Sequence, residues 1–214
     1  MDLEGFKKQP VLGIIRGIGA GMVEPLVEAV CGAGLKTIEI TMNTPGAADL
    51  IRKAVESSSG RLTIGAGTVL SVDDLNEAVG AGATFIVSPT LVDDVAWHCV
   101  KNRIPFFPGA LTPQEIYNAW QAGAAMVKVF PVKFFGPEYF SEVKAPFNDI
   151  ELLACSGVTP ENMGEYFACG ASAVSFGANV FRPEWLKSGD FAAIASAINR
   201  YIKALPLDLF KEYK

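Results

Sequence analysis

The feature that most constrains this chain is a regular alternation of short apolar runs with strand character and segments of helical periodicity, sustained along its length. The runs are Val11–Arg16, Thr37–Met42, Thr63–Thr68, Phe85–Ser88, Phe106–Pro108, Met126–Phe130, Leu152–Ser156 and Ala173–Phe176. They lack the strict apolar–polar alternation of a half-exposed antiparallel strand, and continuous apolar runs suit strands covered on both faces. Between them lie amphipathic segments at Met22–Val30, Ala47–Ser57, Val72–Val79, Pro113–Gln121 and Pro160–Ala168. Thr112-Pro113 and Thr159-Pro160 each place a capping threonine before proline at the first helical position. Glycines at Gly34, Gly82, Gly123 and Gly170 end the preceding helical segments, where a left-handed residue lets the chain turn tightly into a strand. Strands alternating with helices predict parallel βαβ units. About eight of them predict a closed (β/α)₈ barrel, with a doubly wound open sheet as the main rival.

The 214 residues suffice for one domain, and no linker, charge block or shift of composition divides residues 1–214. Half the residues are hydrophobic, which predicts a large buried core. The net charge of −5 argues against a nucleic-acid or anionic-membrane partner, where clustered Lys and Arg are needed. Charged or amide residues interrupt every apolar run short of a membrane span, and the N-terminus lacks the apolar segment of a secretion signal. Cys31, Cys99, Cys155 and Cys169 are far apart without CxxC spacing and suit reduced thiols, so a cytoplasmic location is expected. No His/Cys/Asp/Glu cluster has metal-ligand spacing, so no metal is expected.

In a parallel barrel the site lies at the carboxyl ends of the strands. Lys128, between Met126-Val127 and Val129-Phe130, is costly to bury as a cation. Desolvation favours a neutral amine, whose lone pair can attack a ketone, while the structural alternative is a lysine that snorkels or pairs with a carboxylate. Glu39, in Ile38-Glu39-Ile40, is either a buried structural partner or a general acid–base, and Lys128 is its natural cation. Arg16 can hold a carboxylate in a bidentate fork or form an ion pair at the mouth. Thr68 ends the third run. Ser156-Gly157 and Gly177-Ala178-Asn179 read either as anion-binding turns or as ordinary strand–helix turns. His98 and the aromatics Phe106, Phe107, Phe134, Phe135, Tyr139 and Phe140 read as packing, and Lys133, just past the sixth run, either faces solvent, the favoured reading, or reaches a phosphate.

The succession IIRGI, IEITMNTPGA, IGAGTVL, FIVSPT, PFFPGALTPQEI, VKVFP, FGPEYF and SGVTPENMGEYFACGA spans nearly the whole chain, in order. It resembles the 2-keto-3-deoxy-6-phosphogluconate aldolase / 4-hydroxy-2-oxoglutarate aldolase family, with features of the phosphogalactonate relatives. The resemblance implies a class I aldolase on a (β/α)₈ barrel, usually a homotrimer. Such an enzyme releases pyruvate and an aldehyde (glyceraldehyde 3-phosphate or glyoxylate), with no cofactor beyond the lysine imine. It assigns the imine to Lys128, proton shuttling to Glu39, contact with the substrate carboxylate to Thr68, and phosphate binding to Ser156, Gly157, Gly177 and Ala178. Asn43 stands where an arginine often lies near that carboxylate, and Arg16 can supply the charge instead. Cys155-Ser156-Gly157 replaces a common Thr-Gly-Gly, and Ala178 replaces a phosphate-contacting serine. An isomerase, or a non-catalytic sensor of a 2-oxo acid or phosphosugar, is the alternative.

Overall fold

In the computed structural model, which describes residues 1–206, each apolar run forms a strand. They are β1 (Val11–Ile15), β2 (Thr37–Thr41), β3 (Thr63–Gly67), β4 (Ile86–Val87), β5 (Phe106–Phe107), β6 (Gly109–Ala110), β7 (Val127–Val129), β8 (Leu152–Cys155) and β9 (Ala173–Phe176). All pairings among these strands are parallel, in the order β5-β4-β3-β2-β1-β9-β8-β7-β6. The two ends of that order are one stretch of chain. Pro108 has no amide hydrogen and interrupts the fifth stave, so one expected strand becomes β5 and β6. The stretch still serves both neighbours. Pro105 and Phe107 carbonyls accept from Ile86 and Ser88 on one side, at 2.9 and 3.2 Å. Phe106, Pro108 and Ala110 carbonyls accept from Ala125, Lys128 and Phe130 on the other, at 2.9, 2.8 and 3.0 Å. The sheet is therefore a closed barrel of eight staves, and the open-sheet rival is excluded.

Helices α1 (Leu3–Lys8), α2 (Val23–Gly32), α3 (Ala47–Ser58), α4 (Val72–Gly80), α5 (Asp93–Lys101), α6 (Pro113–Gln121), α7 (Glu138–Lys144), α8 (Met163–Ala168), α9 (Pro183–Ser188) and α10 (Phe191–Ala204) accompany the strands. Thr112 caps α6 as the sequence predicts, and Glu115 completes a capping box by accepting from the Thr112 amide. Thr159 does not cap α8. Asn162 instead accepts from the Thr159 amide at 2.8 Å and donates to the Gly157 carbonyl at 3.0 Å, so a turn consumes Thr159–Asn162 and the helix begins at Met163. No helix among the described residues is long and apolar enough to cross a membrane. The last eight residues of the domain expected over 1–214 lie outside the described residues.

The barrel interior is layered. Near the amino ends of the strands, Leu12, Phe85, Val87, Phe107, Met126, Leu153 and Ala173 form an apolar cluster completed by Phe6. Phe6 arrives on α1, an element not anticipated from the sequence. Its neighbourhood is fixed by Gln9, which donates to the Gly34 carbonyl and accepts from the Lys36 amide, and by the Lys7–Glu151 ion pair. These partners all precede strands, so α1 plugs the amino-terminal mouth and leaves the carboxyl mouth as the open one. Phe85 fits inside because Gly65 on β3 has no side chain: a β-carbon there would lie 2.4 Å from the Phe85 ring. Replacing Gly65 with Ala should therefore overpack the layer and destabilise the protein by about 1–3 kcal/mol in urea unfolding.

Candidate active site

At the carboxyl mouth the strands surround a cavity of about 950 Å³ whose lining includes Arg16, Thr68, Lys128, Ser156, Gly157, Gly177 and Ala178. Lys128 lies on β7, in register with Gly109 on one side and Leu153 on the other. Strand alternation sends Val127 and Val129 outward and Met126 and Lys128 inward, leaving Lys128 only 7 % exposed at the cavity floor. Its Nζ lies 5.4 Å from the centre of the Phe130 ring.

Glu39 on β2 is 1 % exposed, and neither carboxylate oxygen has a hydrogen-bond partner. Burial pushes its pKa above the ordinary carboxylate range, and the nearby charges of Lys128 and Arg16 oppose that shift. Room for the carboxylate comes from Gly67, where a β-carbon would lie 2.3 Å from Oε1. The Gly65-Ala66-Gly67 run thus leaves one stave bare on its inner face, with Phe85 filling one gap and Glu39 the other.

Arg16 donates from Nη2 to Thr68 Oγ1 at 3.5 Å. Thr68 sits at φ +55°, in the left-handed region that non-glycine residues rarely adopt. The turn after Arg16 is held by Thr44, a buried residue that sequence reasoning missed. Its Oγ1 accepts from the Gly17 amide at 3.1 Å and shares a 3.1 Å hydrogen bond with Thr41. Asn43 is not brought into the cavity. The same turn that buries Thr44 leaves Asn43 exposed in a separate depression shared with Asp49, Asp74 and Glu77, apart from the residues expected to join it at the substrate carboxylate.

Ser156 and Gly157, at φ +80° and +86°, form a left-handed pair after β8. A β-carbon at Gly157 would lie 2.5 Å from Lys133 Cβ, so the stem of Lys133 lies across this turn. After β9, Asn179 Oδ1 accepts the Gly177 amide at 3.2 Å, which occupies a donor expected to face an anion. Asn179 also donates to the Val158 carbonyl at 3.4 Å and to the hydroxyl of Tyr201 on α10, which itself donates to the Val158 carbonyl at 2.9 Å. Burial pushes the Tyr201 phenol up to about 12, so it remains a donor at neutral pH. Gly157 and Ala178 amides have no protein acceptor among the described residues.

Cys155 and Ser175 also line the cavity; their only signal in the sequence is the two-residue strand period that places Leu153 and Ala173 in the interior layer beneath them. Lys133 is exposed, as its solvent reading expects, and also lines the cavity; Phe134 and Phe135, at 72 % and 51 % exposed, depart from the packing reading. His98 lies on α5, outside the cavity lining. Among the described residues no group of three or more His, Cys, Asp or Glu side chains could hold a metal ion.

Residues 3–197 match the family model described as "KDPG and KHG aldolase". A 2-dehydro-3-deoxy-6-phosphogalactonate aldolase of Escherichia coli K12 is 34 % identical over 82 % of this chain and 86 % of the relative. A 2-dehydro-3-deoxy-phosphogluconate aldolase of Treponema pallidum is 30 % identical over 80 % and 82 %. A solved structure described as native KDPGal superposes with a TM-score of 0.86 at 31 % identity, covering 92 % of this chain and 94 % of that one.

The buried Glu39 carries a stability cost that depends on pH. Its pKa is higher in the folded chain than in the unfolded one, so between the two values the native state holds the extra proton and stability falls as pH rises. Glu39→Gln should therefore be more stable than the parent at pH 8 and lose that advantage below about pH 4, the ordinary carboxylate range. The advantage is worth about 1.4 kcal/mol for every tenfold by which folding tightens proton binding. Urea melts at the two pH values measure the difference.

Proposed function

The chain belongs to the KDPG and KHG aldolase family, and from that membership we propose a class I aldolase cycle centred on Lys128. The observation that carries the assignment is a lysine lodged inside the barrel, at the floor of an open cavity, with an unpartnered carboxyl behind it. The Lys128 amine, having given up a proton, attacks the C2 ketone of a 2-keto-3-deoxy-6-phospho sugar acid of the phosphogluconate or phosphogalactonate type, and loss of water leaves an iminium. Glu39, as the carboxylate, takes the proton of the C4 hydroxyl through a water molecule. The C3–C4 bond breaks with its electron pair moving toward the iminium, which releases glyceraldehyde 3-phosphate and leaves an enamine. Protonation at C3 and hydrolysis of the imine free pyruvate and restore the amine. The iminium is the electron sink, so the cycle needs no metal or other cofactor. With 4-hydroxy-2-oxoglutarate the same steps give glyoxylate.

Arg16 and Thr68 hold the C1 carboxylate in this reading, and Ser156, Gly157 and Ala178 face the phosphoryl end. Gly177 contributes its amide only if Asn179 releases it. Exposed Phe134 and Phe135 support self-association, for which we propose a homotrimer; light scattering measures it. Four unpaired cysteines suit a reducing, cytoplasmic setting.

Borohydride reduction with pyruvate should add one pyruvyl group, mapped to Lys128, and Lys128→Ala should lose both adduct and cleavage while keeping its circular dichroism. An adduct on another lysine, or full activity in Lys128→Ala, overturns the assignment. Glu39→Gln should lower kcat by about 10²–10⁴-fold while still trapping pyruvate.

A further inference from the structure

Four cationic side chains line the cavity (Arg16, Lys128, Lys133 and Lys187), and among the described residues no carboxylate does. The chain as a whole is acidic, with a net charge of −5, so this mouth runs against the average of the molecule. Arg16 and Lys128 belong to the end where the imine forms. Lys133 and Lys187 are left over, and each accompanies one of the two strand-end turns. Lys133, in the turn Val132–Phe134 after β7, lays its stem across Gly157. Lys187 lies on α9, the first helix after the Gly177-Ala178 turn. Neither lysine takes part in an ion pair among the described residues. Lys133 Nζ sits 4.9 Å from the centre of the exposed Phe134 ring, a contact that leaves its donors unused. The turns themselves offer only neutral donors, chiefly the Gly157 and Ala178 amides, because Ala178 has no hydroxyl and Asn179 occupies the Gly177 amide.

We propose that Lys133 and Lys187 form the charged half of the distal anion subsite, one lysine per turn, so that the cavity selects 2-oxo acids ending in a dianionic phosphoryl group over those ending in a carboxylate. The near end of such a substrate rests on the aldolase reading above; the phosphoryl subsite does not. At equal distance a dianion gains about twice the Coulomb attraction of a monoanion, and two cations lining the same cavity can share its three oxygens. The attraction reaches solvent and weakens with salt.

Lys133→Met, Lys187→Met and the double variant test this with two substrates, 2-keto-3-deoxy-6-phosphogluconate and 4-hydroxy-2-oxoglutarate. Each single substitution should raise KM for the phosphorylated substrate about tenfold, equal to about 1.4 kcal/mol, and at least fivefold more than for the carboxylate-ended one. Lys133→Arg and Lys187→Arg should restore most of the loss. Calorimetric titration with glycerol 3-phosphate gives a readout free of turnover: affinity should fall in the same order, and the salt dependence of binding should flatten. Unchanged glycerol 3-phosphate affinity in the double variant, or equal KM losses on both substrates, would overturn the proposal. Failure of the parent protein to trap pyruvate would remove the aldolase cycle and leave the glycerol 3-phosphate titration to decide the subsite.

Discussion

At Phe106–Ala110 one stretch of chain hydrogen-bonds to β4 through some of its carbonyls and to β7 through the others, and this seam turns a parallel sheet into a cylinder. Closure has a geometric consequence that the site depends on. Glu39 lies on the second stave and Lys128 on the seventh, counting β5 and β6 separately, so in an open sheet of this order they would be far apart. In the cylinder both point to the axis, close enough for the ammonium and the arginine at Arg16 to act on the carboxyl. Closure also removes sheet edges, so no strand needs protection from pairing with another molecule.

The axis is divided by function. Its amino-terminal layer is dry and apolar, closed from below by Phe6, and it supplies the stability expected of a packed core. Above it come groups that a core tolerates poorly: a carboxyl with no hydrogen bond, a buried lysine, and two non-glycine residues, Thr68 and Ser156, in left-handed backbone. Each such left-handed residue costs on the order of 1–3 kcal/mol. The layer beneath offsets them. Gly65 and Gly67 mark the boundary, since the same bare strand admits a phenyl ring at one level and a carboxyl at the next.

Much of this was readable from the sequence, for definite reasons. Strands buried on both faces must be apolar throughout, so Lys128 and Glu39 stood out as polar residues in runs that should have none. The capping box at Thr112 was legible because its partners are local. What depended on distant contacts was not. Thr159-Pro160 looks like the Thr112 signal, but Asn162 turns back onto Gly157 and delays the helix. Asn43 and Thr44 are adjacent and both polar; only the fold decides that Thr44 is buried against Gly17 while Asn43 faces outward. The occupied amide of Gly177 needed the position of Asn179, and the orientation of Lys133 needed its contact with Gly157. The plug helix α1 carries no polar anomaly and gave no sign of its role.

The pairing of β1 with β9 sets the order in which these parts can come together. Val11 is paired with Val174, so the first stave waits for the last before its second edge is satisfied. On a ribosome, which extends a chain by about 5–20 residues per second, nearly the whole sequence must emerge before the cylinder can shut. Glu39 is made early and its cation Lys128 much later, so a nascent half-barrel has every reason to keep that carboxyl in water. Glu39 and Lys128 therefore face each other's charge only once the later staves have closed on the earlier ones.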